Sequence, residues 1–179
     1  MNASTSRAPI IAVVGGAACD RDAEAIAREV GAAIADRGWH LLCGGGGGVM
    51  KAACRGFCEA RANGPQAGLV IALLPGEDPG AANRWVDVAL ATGIDFARNA
   101  LIARSASALV AVDGCAGTLS EIAYGWQMGK PIVAMSRSGG WAAELAGKCI
   151  DPRRDEPVIA ASSAEEAIER LAALLEVAG

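Results

Sequence analysis

The chain has 179 residues, a length that fits one domain able to bury most of its apolar surface without staples. Hydrophobic residues make up 53% and aromatics only 4%, so Ala, Val, Ile, Leu and Gly do the packing, as where helices lie close against a sheet. The formal net charge of -4 is spread among interspersed acids and bases with no basic run, which argues against nucleic acid as the main partner.

Met1 to Ser6 carries neither the charged segment nor the long apolar core of a signal peptide, and the longest apolar runs, such as Leu69 to Leu74, are strand-sized. A cytoplasmic protein with no membrane partner is expected. Residues 1–8 read as a flexible extension of a single domain covering 1–179.

In chain order, Ile10 to Val14 reads as a buried strand that ends at Gly15-Gly16. Asp20 is placed to cap a helix with an apolar stripe at Ile26, Val30, Ala33 and Ile34, stopped by Gly38. Trp39 to Cys43 is a second strand running into five glycines, Gly44 to Gly48. A helix follows with Met50, Ala53, Cys54, Phe57 and Cys58 at helical spacing. Leu69 to Leu74 is a third strand, 77–85 a loop and Val86 to Leu90 a fourth strand. Asp95 is then placed to cap a helix through Ser105.

Leu109 to Val112 is a fifth strand ended by Asp113-Gly114, Thr118 to Met128 a helix and Pro131 to Met135 a sixth strand. After a Gly139-Gly140 turn come a short helix around Trp141 to Ala146, weak strands at 148–150 and 158–160, and a last helix. Ser163 caps that helix and Glu166 completes a capping box. Strands alternating with helices predict an α/β fold: a Rossmann-like, three-layer, doubly wound parallel sheet with helices on both faces. Such sheets bind ligands at the carboxyl ends of their strands, where all three glycine loops fall.

Six cysteines and one histidine give no CxxC pair and no zinc spacing. Most of the cysteines are expected to be reduced, buried small hydrophobes, with Cys115 set apart because it lies in a motif. Trp85, Trp126 and Trp141 are read as packing residues.

Two loops carry the chemistry. In Cys43 to Lys51, a strand, a glycine run (Gly45, Gly46, Gly47 and Gly48 among it) and a helix start with Met50 bring unpaired N–H groups to one point, which is an anion site. Gly-Val-Met at the helix start is not the Gly-Lys-Ser/Thr of a Walker loop, and Val49 breaks the dinucleotide fingerprint. The other reading of these glycines is tight strand-to-helix packing alone. In Asp113 to Glu121, Thr118 with Glu121 has the spacing of a capping box, a purely structural explanation for both; the same glutamate would also sit close to anything bound on the loop.

Gly117-Thr118-Leu119-Ser120-Glu121 after a strand resembles the Pro-Gly-Gly-x-Gly-Thr-x-x-Glu signature of the LONELY GUY (lysine-decarboxylase-like) superfamily. Gly-Gly-Gly-Val-Met upstream resembles its Gly-Gly-x-x-Gly-Leu-Met loop, and Arg98 matches its arginine. Ala97-Arg98-Asn99, Gly-Thr-Leu-Ser-Glu at 117–121, Gly139-Gly140-Trp141 and Val13-Val14-Gly15-Gly16 are similar to the molybdenum cofactor carrier branch, and the likeness runs from about Ile10 to Leu175. Asp113 and Cys115 depart from the signature, standing where the phosphoribohydrolases have proline and glycine.

Two functions follow from the resemblance. As a carrier, the protein holds a phosphorylated pterin, the molybdenum cofactor, or an AMP-like nucleotide. The ligand would lie on Gly15, Gly16, Gly45 to Gly48, Met50, Arg98, Asn99, Gly114, Cys115, Ala116, Gly117, Thr118 and Glu121, with Lys51 adding positive charge. As a phosphoribohydrolase, it would cleave the N-glycosidic bond of a nucleoside 5′-monophosphate with Arg98 and Glu121 as catalytic residues. Pairing of Arg98 with Glu121 is the bland alternative for both side chains. A distant relation to single-stranded DNA binders finds no basic groove here. The resemblance also implies a homodimer or homotetramer, with the Ala- and Leu-rich last helix offering an apolar face.

Overall fold

The computed structural model describes residues 7–64 and 68–177, so most of the N-terminal extension expected at 1–8 lies outside the described residues. Seven parallel strands form one sheet in the order β4-β3-β2-β1-β5-β6-β7. They are β1 (Ile10–Gly15), β2 (His40–Cys43), β3 (Val70–Leu74), β4 (Val88–Ala91), β5 (Ala108–Val112), β6 (Ile132–Met135) and β7 (Ile159–Ala161). The helices are α1 (Arg21–Asp36), α2 (Gly48–Ala62), α3 (Arg98–Ser105), α4 (Ala116–Gln127), α5 (Gly140–Leu145) and α6 (Ala164–Val177). Two single 3-10 turns, Pro79–Ala81 and Asp95–Ala97, complete the set among the described residues. The expected α/β doubly wound architecture is the observed one.

Alternation explains why the strands read as unbroken apolar runs. Ile11, Val13, Val110 and Val112 face a core closed by α1, α2 and α6, while Ala12, Val14, Leu109 and Ala111 face a second core under α3, α4 and α5. Both faces of each central strand are covered, so neither half of the alternation can be polar. The register sets Gly15 beside Val112 and Cys43 beside Ala72, which brings the carboxyl ends of β1, β2, β3 and β5 to one rim. Chain direction across the sheet reverses between β1 and β5, the switch point at which a crevice opens.

Several expected boundaries shift, for local reasons. Asp20 caps α1 as expected, accepting from Ala23 N at 2.8 Å. Asp95 caps nothing: it stands inside a 3-10 turn at φ 46°, and α3 begins only at Arg98. Residues 148–150 form no strand; Lys148 O accepts from Val158 N, and Gly147 N donates to Val158 O, with neither segment of that pairing extended into a ladder. Ser163 Oγ accepts from Glu166 N at 3.2 Å, whereas the Glu166 carboxylate reaches back to Ser162 N and Oγ, one residue earlier than a strict box requires.

The capping box assigned to Thr118 and Glu121 is not formed. Helix α4 starts two residues earlier than its sequence pattern predicts, with Cys115 in the N-cap position. Thr118 is therefore inside the first turn and Glu121 in the second, where its carboxylate faces another element. Ala116 and Gly117 carry no sequence signal for a helix start, and the N-cap makes no side-chain hydrogen bond.

Candidate functional site

A cavity of about 230 Å³ opens at the switch point. It is lined by Gly15, Gly16 and Ala17 from the end of β1, by Cys115, Gly117 and Thr118 from the start of α4, by Arg98 and Glu121, and by Met50, Phe96 and Asn99. Nine of the residues expected from the sequence thus meet in one place: Gly15, Gly16, Met50, Arg98, Asn99, Cys115, Gly117, Thr118 and Glu121. Gly114 and Ala116 line an adjoining hollow instead, and Gly45 to Gly48 do not line the cavity. Lys51 is exposed on α2 and is not among the lining residues either.

The glycine run after β2 serves the site from beneath. Gly44 lies against the Arg98 guanidinium: a Cβ there would come within 2.6 Å of Nη2. Gly48 sits at φ 53°, a left-handed conformation that favours glycine, and opens α2 where Val49 N donates to Gly16 O at 3.0 Å. One of the free amides at the start of α2 is thereby used to fix the β1 loop rather than left for a ligand. Asn83, from a segment that reads only as loop, holds the run by donating from Nδ2 to Gly45 O and Gly46 O at 3.2 and 3.1 Å. Cys43 and Cys54 pack under it with their sulfurs 3.5 Å apart. Contact with Cys43, reinforced by burial, raises the Cys54 thiol.

Arg98, Asn99 and Glu121 form a connected polar group. Arg98 Nη1 donates to Asn99 Oδ1 at 2.8 Å and to Glu121 Oε1 at 3.1 Å, and Asn99 Nδ2 donates to Ser120 Oγ at 2.8 Å. The pair is well removed from water, with side chains 13% and 8% exposed. Burial pushes the Glu121 carboxyl up to about 7, against the opposing pull of the Arg98 charge and hydrogen bond. Arg98 Nε is buried with no hydrogen-bond partner among the described residues. A buried donor with no partner carries an uncompensated desolvation cost.

At the start of α4 the N–H groups of Ala116, Gly117 and Thr118 find no acceptor among the described residues; Leu119 N is the first to bond, to Cys115 O. Asp113, which would repel an anion there, is held at φ 54° with its amide donating to Ser138 Oγ at 2.7 Å. Its carboxylate lies toward Gly16 and Gly139-Gly140 and does not line the cavity. Cys115 is exposed, as is Cys149; Cys43 and Cys54 are the buried pair, so the expectation of mostly buried cysteines holds for two of six in full.

Phe96 and Ala17 line the cavity without having been expected there. Phe96 is 82% exposed, one of only two phenylalanines in the chain, and it follows the left-handed Asp95 directly. Its place two residues before Arg98 was the available signal.

Residues 8–168 match the SLOG cluster4 family. The chain belongs to that family. An uncharacterised protein of Archaeoglobus fulgidus is 40% identical over 125 residues, covering 70% of this chain and 78% of its own. Among solved structures, the molybdenum cofactor binding protein of Rippkaea orientalis superposes with a TM-score of 0.82 at 31% identity, over 96% of this chain and 99% of that one. The molybdenum cofactor carrier protein of Chlamydomonas reinhardtii does so with a TM-score of 0.79 at 34% identity, over 95% and 99%. The expected superfamily branch and fold are thus shown for this member of the SLOG cluster4 family. No helix among the described residues is long and apolar enough to cross a membrane.

Proposed function

We propose that this protein binds and carries a phosphorylated small molecule, with a pterin of the molybdenum cofactor type as its cargo. The observation that carries the reading is the run of unpaired N–H groups at the start of α4, where Gly117 and Thr118 line the same cavity as Arg98, whose buried Nε has no partner among the described residues. Free amides at the start of a helix and a guanidinium are complementary to a phosphate. Gly117, where an added Cβ would meet nothing nearer than Asn99 Nδ2 at 3.9 Å, leaves the backbone open to close approach. The similarity over almost the full chain to proteins described as binding or carrying the molybdenum cofactor supports the same cargo. Among the described residues no three His, Cys, Asp or Glu side chains come together to hold a metal. An assembly of two or four copies belongs to this reading, with Leu174 and Val177 exposed on α6 as an apolar face.

One observation favours hydrolysis as a second reading. A carboxyl raised to about 7 is present in both protonation states near neutral pH, which suits a group that handles a proton. In a nucleoside 5′-monophosphate phosphoribohydrolase, Glu121 would activate water or stabilise positive charge at the anomeric carbon. The glycosidic C–N bond breaks, water oxygen bonds to that carbon, and the proton passes to the departing base.

Turnover separates the two. Free base released from AMP and N6-isopentenyl-AMP would be measured by chromatography for wild type and Glu121→Gln, with folding of both checked. The carrier reading expects no base from either nucleotide and stoichiometric uptake in an anaerobic titration with molybdenum cofactor. Multiple turnovers that vanish in Glu121→Gln would overturn it in favour of hydrolysis.

A further inference from the structure

A second cavity, of about 350 Å³, lies between α4 and α5 and shares Cys115 with the first. Gly114, Cys115 and Ala116 line it on the α4 side and Gly140, Trp141 and Glu144 on the α5 side. Its two walls are locked together. Trp141 N donates to Gly114 O at 3.0 Å and Ala142 N to Asp113 O at 3.1 Å. Gly140 holds φ 53° so close to the 113–114 turn that a Cβ would come within 2.6 Å of Asp113 Oδ1, and Ser138 Oγ ties the same turn from the strand side. The position of Trp141 relative to the start of α4 is therefore fixed by backbone contacts, not by the indole.

The indole itself is 39% exposed, in contrast to Trp126, which is 2% exposed with its Nε1 donating to Asp151. Packing accounts for Trp126 and leaves the open face of Trp141 unexplained. One turn further along α5, the Glu144 carboxylate stands on the rim, 72% exposed and 3.6 Å from Lys148 Nζ. An aromatic wall with a carboxylate beside it is the arrangement that recognises a flat ring carrying adjacent N–H donors on one edge.

We propose that this cavity is a second subsite of the same ligand, in which Trp141 stacks on a fused bicyclic heterocycle and Glu144 accepts from the ring N–H and amino group of a 2-amino-oxopyrimidine edge, the edge shared by pterins and guanine. The proposal rests on the phosphate reading above, because a phosphate at the start of α4 would lie at the junction of the two cavities. It goes further by naming the ring and its donor pattern. An adenine ring presents an acceptor where this edge presents a donor, and so meets Glu144 unfavourably. Hypoxanthine keeps the ring N–H and lacks the amino group.

The test is calorimetric binding of GMP, IMP, AMP, guanosine and ribose 5-phosphate to wild type, Trp141→Ala, Trp141→Phe and Glu144→Gln. Wild type is expected to bind GMP about tenfold or more tighter than IMP, the value of one hydrogen bond to a charged acceptor, and tighter still relative to AMP. Glu144→Gln should bring GMP and IMP together while leaving AMP no weaker. Trp141→Ala should weaken all three nucleotides by about tenfold, as loss of one stacked aromatic does, and Trp141→Phe should restore most of it. Binding of ribose 5-phosphate with equal affinity for the three nucleotides would overturn the second subsite and leave the phosphate reading standing. Guanosine binding as tightly as GMP and weakened by Glu144→Gln, with no binding of ribose 5-phosphate, would do the reverse. Binding of none of the five would overturn both.

Discussion

Replacing Glu121 by Gln should stabilise the folded protein at pH 8.5 and change it little at pH 5. Burial raises the folded-state carboxyl from the ordinary 4.5 to about 7, so the folded chain holds this proton more tightly than the unfolded chain does. Stability associated with the group is then fully present below about pH 4.5 and is lost as pH rises through 7. Each pKa unit corresponds to about 1.4 kcal/mol, so the full loss approaches roughly 3 kcal/mol at pH 8.5 and is less than about 1 kcal/mol at pH 5. Glutamine keeps the shape and the acceptor for Arg98 Nη1 but has no charge to bury. Urea unfolding of both proteins at the two pH values measures the difference, in which every other titrating group cancels to first order. A variant less stable than wild type by the same amount at both pH values would refute the reasoning. It would mean that attraction to Arg98 outweighs the desolvation of the carboxylate.

Arg98→Leu strands the same carboxylate without its partner and should cost about 3–5 kcal/mol at pH 8. Near pH 5 the cost should shrink sharply as Glu121 takes up a proton, which the same unfolding experiment reads. Gly31→Ala, a change that ordinarily favours a helix, should instead destabilise by more than about 1 kcal/mol in thermal unfolding, because the added methyl would strike Ala53 O across the α1–α2 contact. Trp126→Phe removes the 3.0 Å bond to Asp151 and the indole stacked 4.2 Å from the Arg154 guanidinium, and should lower stability by about 1–2 kcal/mol.

Apolar periodicity was sufficient to place the strands to within a residue or two, because β1, β2, β3, β5 and β6 are covered on both faces and could only be written in Val, Ile, Leu and Ala. Where burial is one-sided, as at β4 with its alternating exposed Val88 and Leu90, the boundary was displaced. Helix starts were legible where a side chain makes the cap or a glycine turn precedes the helix, as at α2 and α5. Asp20 was found by its carboxylate, whereas the start of α4 at Ala116 is set by its neighbours: Gly114 O is occupied by Trp141 N and Asp113 O by Ala142 N.

The same division holds in the site. Arg98, Asn99 and Glu121 were found through the resemblance, and they meet in space. The role of Gly44 to Gly48 was not legible, since close approach to Arg98 and tethering by Asn83 are properties of contacts between segments distant in the chain. The left-handed backbone at Asp95, which precedes exposed Phe96, is likewise imposed from outside the local sequence.

Because β1 and β5 lie side by side at the reversal of strand order, the cavity wall from Gly15 to Ala17 belongs to the first half of the chain, and the wall from Cys115 to Thr118 to the second. A molecule held by both would act as a clasp on two halves that also meet along the β1–β5 ladder and where α1 packs on α6. Occupancy at a hundred times the dissociation constant would add about 2.7 kcal/mol to the stability of the whole fold rather than to one loop. Loss of a bound molecule would accordingly be felt as a loosening along the seam at the centre of the sheet.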